Sequence, residues 1–170
     1  MRTLNELYRV ALLQHPKPNA FRAKEGGEYR DVSSAEFALM AAEIAGGLMT
    51  LGLAPRDRVA ILAETRLEWA AADCAILSAG FVSVPIYPTL TVEGVEHILL
   101  DSGARAVFVS TREQAEKLAP YRAKRGRLPV ILMAGEAEGC ISLATLREQG
   151  RARGQTSLNP VNVEPEDLAT

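Results

Sequence analysis

Between residues 56 and 109, short apolar strands alternate with amphipathic helices, and nothing else in the chain constrains its fold as strongly. The spacing predicts a strand at 59–63, a helix at 66–79, a strand at 81–86, a helix at 92–101 and a strand at 106–109. Strands joined by helix-length crossovers pair in parallel, and both faces of such a sheet have to be covered. The expected class is α/β, three layers deep, with a mostly parallel sheet flanked by helices.

The flanking regions add to this core. Leu4, Leu7, Tyr8, Ala11 and Leu12 recur at helical spacing, so an amphipathic helix is expected over 4–15, ended by Pro16. Two extended runs, 20–24 and 29–32, flank Glu25-Gly26-Gly27-Glu28; the adjacent glycines supply the positive φ of a tight turn and predict a small N-terminal β-hairpin apart from the parallel sheet. Ser33-Ser34-Ala35-Glu36 reads as a capping box opening a long helix that ends at Gly52. Gly46-Gly47 weakens that helix by about 1 kcal/mol per glycine relative to alanine, either to admit a closely packed neighbour or as a tolerated defect. Thr65-Arg66-Leu67-Glu68 and Ser110-Thr111-Arg112-Glu113 repeat the capping pattern after predicted strands. A helix at 111–121, a basic turn holding Arg122, Lys124, Arg125 and Arg127, and a strand at 129–133 follow. One short helical candidate at 142–149 then precedes a polar, proline-containing tail. One domain is expected, made of a leading helix and hairpin (1–32), an α/β core (33–134) and a connecting segment (135–170).

With 19 Lys and Arg against 21 Asp and Glu, the net charge of −2 offers no bias toward nucleic acid. The N-terminus is too polar for a secretory signal, and no run approaches the ~20 apolar residues of a membrane span, so a soluble, cytoplasmic protein is expected. Cys74 and Cys140 lack metal-site or disulfide-framework spacing and read as reduced thiols.

Chemistry is sparse. There is no G-x-G-x-x-G, no G-x-x-x-x-G-K-[ST] and no G-x-S-x-G. His15 sits beside a proline, and His97 lies in a helix with no Cys or second His at metal spacing, so a solvated position is favoured over a ligand role and no metal site is assigned. Trp69 is expected to pack on the sheet rather than touch a ligand. The basic turn reads as solvated surface before it reads as an anion site. In open parallel sheets ligands bind beyond the carboxyl ends of the strands, here Glu64-Thr65, Tyr87-Pro88-Thr89 and Ser110-Thr111-Arg112. At the last of these, Ser110 or Thr111 caps a helix whose positive end favours an anion, with Arg112 as a planar donor; plain capping is the simpler reading.

The pieces Asp57-Arg58-Val59-Ala60-Ile61-Leu62, Glu68-Trp69, Ala79-Gly80, Val84-Pro85-Ile86-Tyr87-Pro88-Thr89, Ile98-Leu99, Asp101-Ser102-Gly103-Ala104 and Val107-Phe108-Val109 together resemble the N-terminal region of adenylate-forming enzymes, specifically long-chain fatty-acid CoA ligases. The resemblance implies a two-step reaction. A fatty acid and ATP with Mg²⁺ give an acyl-adenylate and pyrophosphate, and the thiol of coenzyme A then displaces AMP. In the family, a Ser/Thr/Gly-rich loop ending in Pro-Lys-Gly follows a segment like 166–170 and holds the ATP phosphates, and a C-terminal domain carries the adenylation lysine. Neither has a counterpart in these residues, so no catalytic residue is carried over, and the chain is expected to be an N-terminal portion that is inactive alone. Related enzymes receive the nucleotide end of coenzyme A near positions matching Tyr87, Pro88, Thr89 and Arg112. The family also suggests a homodimer, with the leading helix or the Gly46-Gly47 surface as contact. Two competing classes remain: a non-catalytic dimerisation or scaffolding module, and a free-standing nucleotide-binding domain, the latter disfavoured by the missing glycine loop.

Overall fold

The computed structural model describes residues 2–170. Its centre is a five-stranded, wholly parallel sheet of β3 (Arg58–Leu62), β4 (Val82–Ile86), β5 (Ala106–Val109), β6 (Val130–Leu132) and β7 (Ile141–Ser142), in the order β4-β3-β5-β6-β7. Its register pairs Ile61 with Pro85 on one side and with Phe108 on the other. Pro85 lacks an N–H, which restricts it to an edge, and β4 is an edge strand. An antiparallel hairpin, β1 (Phe21–Glu25) and β2 (Glu28–Val32), stands apart as expected. Gly26 (φ 59°) and Gly27 (φ 93°) make its two-residue turn, and Arg22 faces Asp31 across the strands at 3.1 Å.

Helices cover both faces. On one lie α2 (Ser34–Leu48), α3 (Leu67–Ser78) and α7 (Leu143–Ala152), burying Phe37, Ile44, Leu48, Ile76 and Leu146 against Ile61, Phe108 and Ile131. On the other lie α4 (Val92–Ser102), α5 (Arg112–Glu116) and α6 (Ala119–Arg125), where Leu99 and Leu118 pack on Leu62, Val107 and Leu132. Alternate strand residues thus serve two separate cores, which is why the strands read as continuous apolar runs. Phe21 stacks on Phe37 with ring centroids 4.2 Å apart, docking the hairpin on α2. Trp69 is half-buried against the first core, as expected.

Several local expectations change. The leading helix α1 (Leu4–Arg9) passes into π-helical turns over Val10–Gln14, where His15 N–H donates to the Val10 carbonyl at 3.1 Å before Pro16 ends the run. Ser33 caps α2 as the sequence predicts, its hydroxyl accepting from Glu36 N–H at 3.1 Å. Thr65 does not cap α3. Arg66 occupies the cap with extended backbone, and its Nε bonds Glu68 at 2.7 Å instead. Thr111, not Ser110, caps α5. The expected helix at 111–121 is two helices, because Pro120 lacks the N–H to continue α5 yet suits the first turn of α6. The basic turn is largely the last turn of α6, where Arg122, Lys124 and Arg125 complement the helix dipole. Gly135 to Thr170 is more than a connection, since β7 joins the sheet and α7 packs along α2.

The reason for Gly46-Gly47 lies in that packing. A Cβ at Gly47 would sit 2.2 Å from the Leu146 carbonyl oxygen, and one at Gly150 would sit 1.9 Å from that of Glu43. The glycines let the two helix backbones touch, so the close-neighbour reading holds and the surface is covered within the chain. At the same crossing Glu43, only 2% exposed, bonds Arg147 at 2.7 Å and Arg151 at 3.0 Å. Together with its 3₁₀ extension Met49–Leu51, α2 spans 18 residues at mean hydropathy 1.2. It therefore passes by length and composition as a membrane span, contrary to expectation, but 67% of it is buried in the fold.

Candidate functional site

The sheet reverses its winding between β3 and β5: α3 leaves β3 toward one face, and α5 leaves β5 toward the other. Such a switch point opens a crevice beyond the strand carboxyl ends. Ser110 is fully buried there, its N–H donating to the Leu62 carbonyl at 3.3 Å. Its hydroxyl makes no hydrogen bond of regular geometry, yet it is the largest influence holding the Glu64 carboxyl below its ordinary value, with Arg66 adding to the effect. Glu68 is pushed up by burial but pulled further down by Arg66 and by backbone N–H, for a net lowering.

Both carboxyls titrate below 4.5, so the stability they confer is full above about pH 4.5 and fades as the pH falls through their folded values. Ser110→Ala is expected to move the Glu64 titration upward, read by NMR of the side-chain carboxyl. An unmoved titration would acquit the hydroxyl.

The four residues expected near coenzyme A all lie just beyond the carboxyl ends of β4 and β5. Tyr87 is 79% exposed, and Pro88 and Thr89 continue the loop after β4. This loop is fastened to α5 and the residue that ends it: Lys117 Nζ donates to the carbonyls of Pro88 at 2.6 Å and Leu90 at 2.9 Å, and Gln114 Nε2 reaches Pro88 at 3.3 Å. Arg112 opens that same helix, on the wall of a cleft of about 1070 Å³ shared with Glu116, Glu136, Glu138, Cys140 and Gln149. Its Nε already pairs with Glu116 at 3.0 Å. At five residues, α5 contributes little dipole, so any pull on an anion here rests on the guanidiniums of Arg112 and Arg122, which line the same cleft. The Lys117 clamp was invisible in the sequence because a lysine bonding two carbonyls leaves no spacing signature.

Among the described residues no three His, Cys, Asp or Glu side chains converge on a point where a metal would sit, so no step through Mg²⁺ is assigned to this chain. His15 and His97 are both exposed. Cys74 is buried and its thiol pushed up to about 12 by burial, which keeps it protonated and unreactive. Asp73 is engaged twice, accepting from Tyr8 Oη at 3.0 Å and from Ser83 Oγ at 2.6 Å, and so ties α1 to α3 and β4.

Comparison with known proteins places this geometry. The family described as AMP-binding enzyme matches residues 9–170. The chain belongs to the AMP-binding enzyme family. A long-chain-fatty-acid–CoA ligase of Mycobacterium bovis is 44% identical over 120 residues, covering 70% of this AMP-binding enzyme chain and 20% of the relative. A feruloyl-CoA synthase of an Amycolatopsis species is 33% identical over 149 residues, covering 81% and 30%. The crystal structure of a long-chain-fatty-acid-CoA ligase from Archaeoglobus fulgidus superposes with a TM-score of 0.79 at 20% identity, covering 98% of this chain and 33% of that one. At that identity the likeness establishes the α/β fold. The chain therefore spans 20% to 30% of the length of these two curated relatives.

Proposed function

We propose that this chain is the N-terminal α/β portion of a long-chain fatty-acid CoA ligase. A fatty-acid carboxylate oxygen attacks the α-phosphorus of ATP and pyrophosphate leaves. The thiol of coenzyme A then attacks the acyl carbon, and AMP leaves with the carboxylate oxygen that joined it. The observation that carries this reading is the 44% identity to a long-chain-fatty-acid–CoA ligase across 70% of the chain. In this reading the sheet is scaffold, and its strand-end loops at Tyr87, Pro88, Thr89 and Arg112 contribute a contact to coenzyme A. The guanidinium of Arg112 suits a phosphate once it releases Glu116, since that pair is solvent-exposed and weak.

Two measurements test this. Given a long-chain fatty acid, ATP, Mg²⁺ and coenzyme A, the 170 residues alone are expected to form no acyl-CoA; turnover would refute their role as scaffold. In a full-length ligase bearing these residues, Arg112→Ala is expected to raise the KM for coenzyme A by about three- to tenfold, with pyrophosphate release nearly unchanged. An unaltered KM would remove Arg112 from the site.

A further inference from the structure

A groove of about 670 Å³ opens at the amino-terminal edge of β5, β6 and β7, the end of the sheet opposite the strand-carboxyl crevice. Four arginines line it. Arg105 immediately precedes β5, Arg122 and Arg125 end α6, and Arg127 approaches β6, while Leu51 and Leu53 supply apolar wall. No Asp or Glu lines the groove, although acidic residues outnumber basic ones in the chain, 21 to 19.

The simpler explanation, basic residues answering the carboxyl end of a helix dipole, covers Arg122 and Arg125. It does not cover Arg105 or Arg127, which lie on other segments. Lys124, on the same last turn, is directed elsewhere and pairs with Glu96 on α4 at 2.8 Å. Gly126, with φ 79°, reverses the chain after α6, and Arg125 and Arg127 both face the groove on either side of it.

Two of the four guanidiniums are also uncommitted. Arg122 donates to the Gly139 carbonyl at 3.0 Å, and Arg105 stands 4.0 Å from Asp57, too far for a hydrogen bond. Arg125 and Arg127 have no ion-pair or hydrogen-bond partner for their side chains among the described residues.

We propose that this groove binds an organic polyphosphate, a small molecule carrying two or more phosphate groups, gripped by the Arg105, Arg125 and Arg127 forks with its organic part on Leu51 and Leu53. Guanidinium forks match phosphate oxygens bidentately. The concave volume falls in the range of small-molecule sites, about 300 to 1,000 Å³. A nucleic acid would need a longer basic track than one groove on a chain of net charge −2, and a membrane would need a flat or convex face. The groove shares Arg122 and Ile141 with the cleft that Arg112 lines, but Arg105, Arg125 and Arg127 belong to the groove alone, so the proposal does not rest on the ligase reading.

Titration calorimetry of this chain with inorganic tripolyphosphate tests the proposal. Binding is expected in the parent, weakened about tenfold or more in Arg125→Gln/Arg127→Gln and again in Arg105→Gln, and unchanged in Arg153→Gln, an exposed arginine outside the groove. These arginines are exposed, and circular dichroism checks that each variant stays folded. Equal affinity in the groove variants, loss of binding in Arg153→Gln, or no tripolyphosphate binding by the parent overturns it. Binding of phosphatidylserine–phosphatidylcholine vesicles or single-stranded RNA without tripolyphosphate binding overturns it as well.

Discussion

Replacing Gly150 with alanine is expected to lower the melting temperature by about 4 to 8 °C, equivalent to about 2 kcal/mol in a protein of this size. The new methyl would arrive 1.9 Å from the Glu43 carbonyl oxygen and 2.8 Å from its carbon. Both are backbone atoms of α2, which cannot swing aside as a side chain would. The helix-propensity gain of alanine, about 1 kcal/mol, opposes this. Overpacking costs typically reach about 3 kcal/mol and fall at the high end when backbone must move. Displacing α7 also stretches the Glu43 ion pairs. Gly94→Ala in α4 is the control, because its Cβ would meet nothing closer than 3.6 Å. It is expected to leave the melting temperature unchanged or raise it slightly, and equal behaviour of the two variants would show that α7 does not make this crossing.

The second large effect concerns the charges at that crossing. Arg147→Met/Arg151→Met leaves Glu43 with 2% exposure and neither cation, and is expected to cost about 3 to 5 kcal/mol in urea denaturation. Glu43→Gln is expected to cost less, about 1 to 2 kcal/mol, because Arg147 and Arg151 side chains are already 29% and 47% exposed and can turn to water. The ordering follows from the asymmetry of burial. A glutamine variant as damaging as the double variant would mean that the pairs themselves, not the stranded carboxylate, dominate.

This crossing also shows where sequence reasoning reaches its limit. The strand-helix alternation from 56 to 109 predicted the parallel sheet and its helices to within a residue or two, because burial on both faces writes long apolar runs. Gly46-Gly47 marked the helix surface but not its neighbour, since Gly150 and Arg147 lie about a hundred positions away and nothing in a single chain links them. The small strand β7 went unread because two residues carry no periodicity. Of the candidate site, the three strand-end loops were legible from topology. The fastening of the Tyr87-Pro88-Thr89 loop to the helix that Arg112 opens was not, because it depends on Lys117 and Gln114 bonding carbonyls far off in sequence. The arginine groove was half-visible as a basic cluster; Arg105 completes it only in three dimensions.

Pro85 carries one more consequence, with Ser83 beside it. Along β4 the backbone N–H groups alternate between the neighbouring strand and open solvent. Of the two outward positions, Ser83 already donates to the Ala169 carbonyl at 2.9 Å, and Pro85 has no hydrogen to give. The opposite edge of the sheet is β7, only two residues long. Neither border of the parallel sheet offers a foreign strand a ladder to extend, so this sheet is protected against edge-to-edge aggregation at high concentration despite its almost uninterrupted hydrophobic sequence.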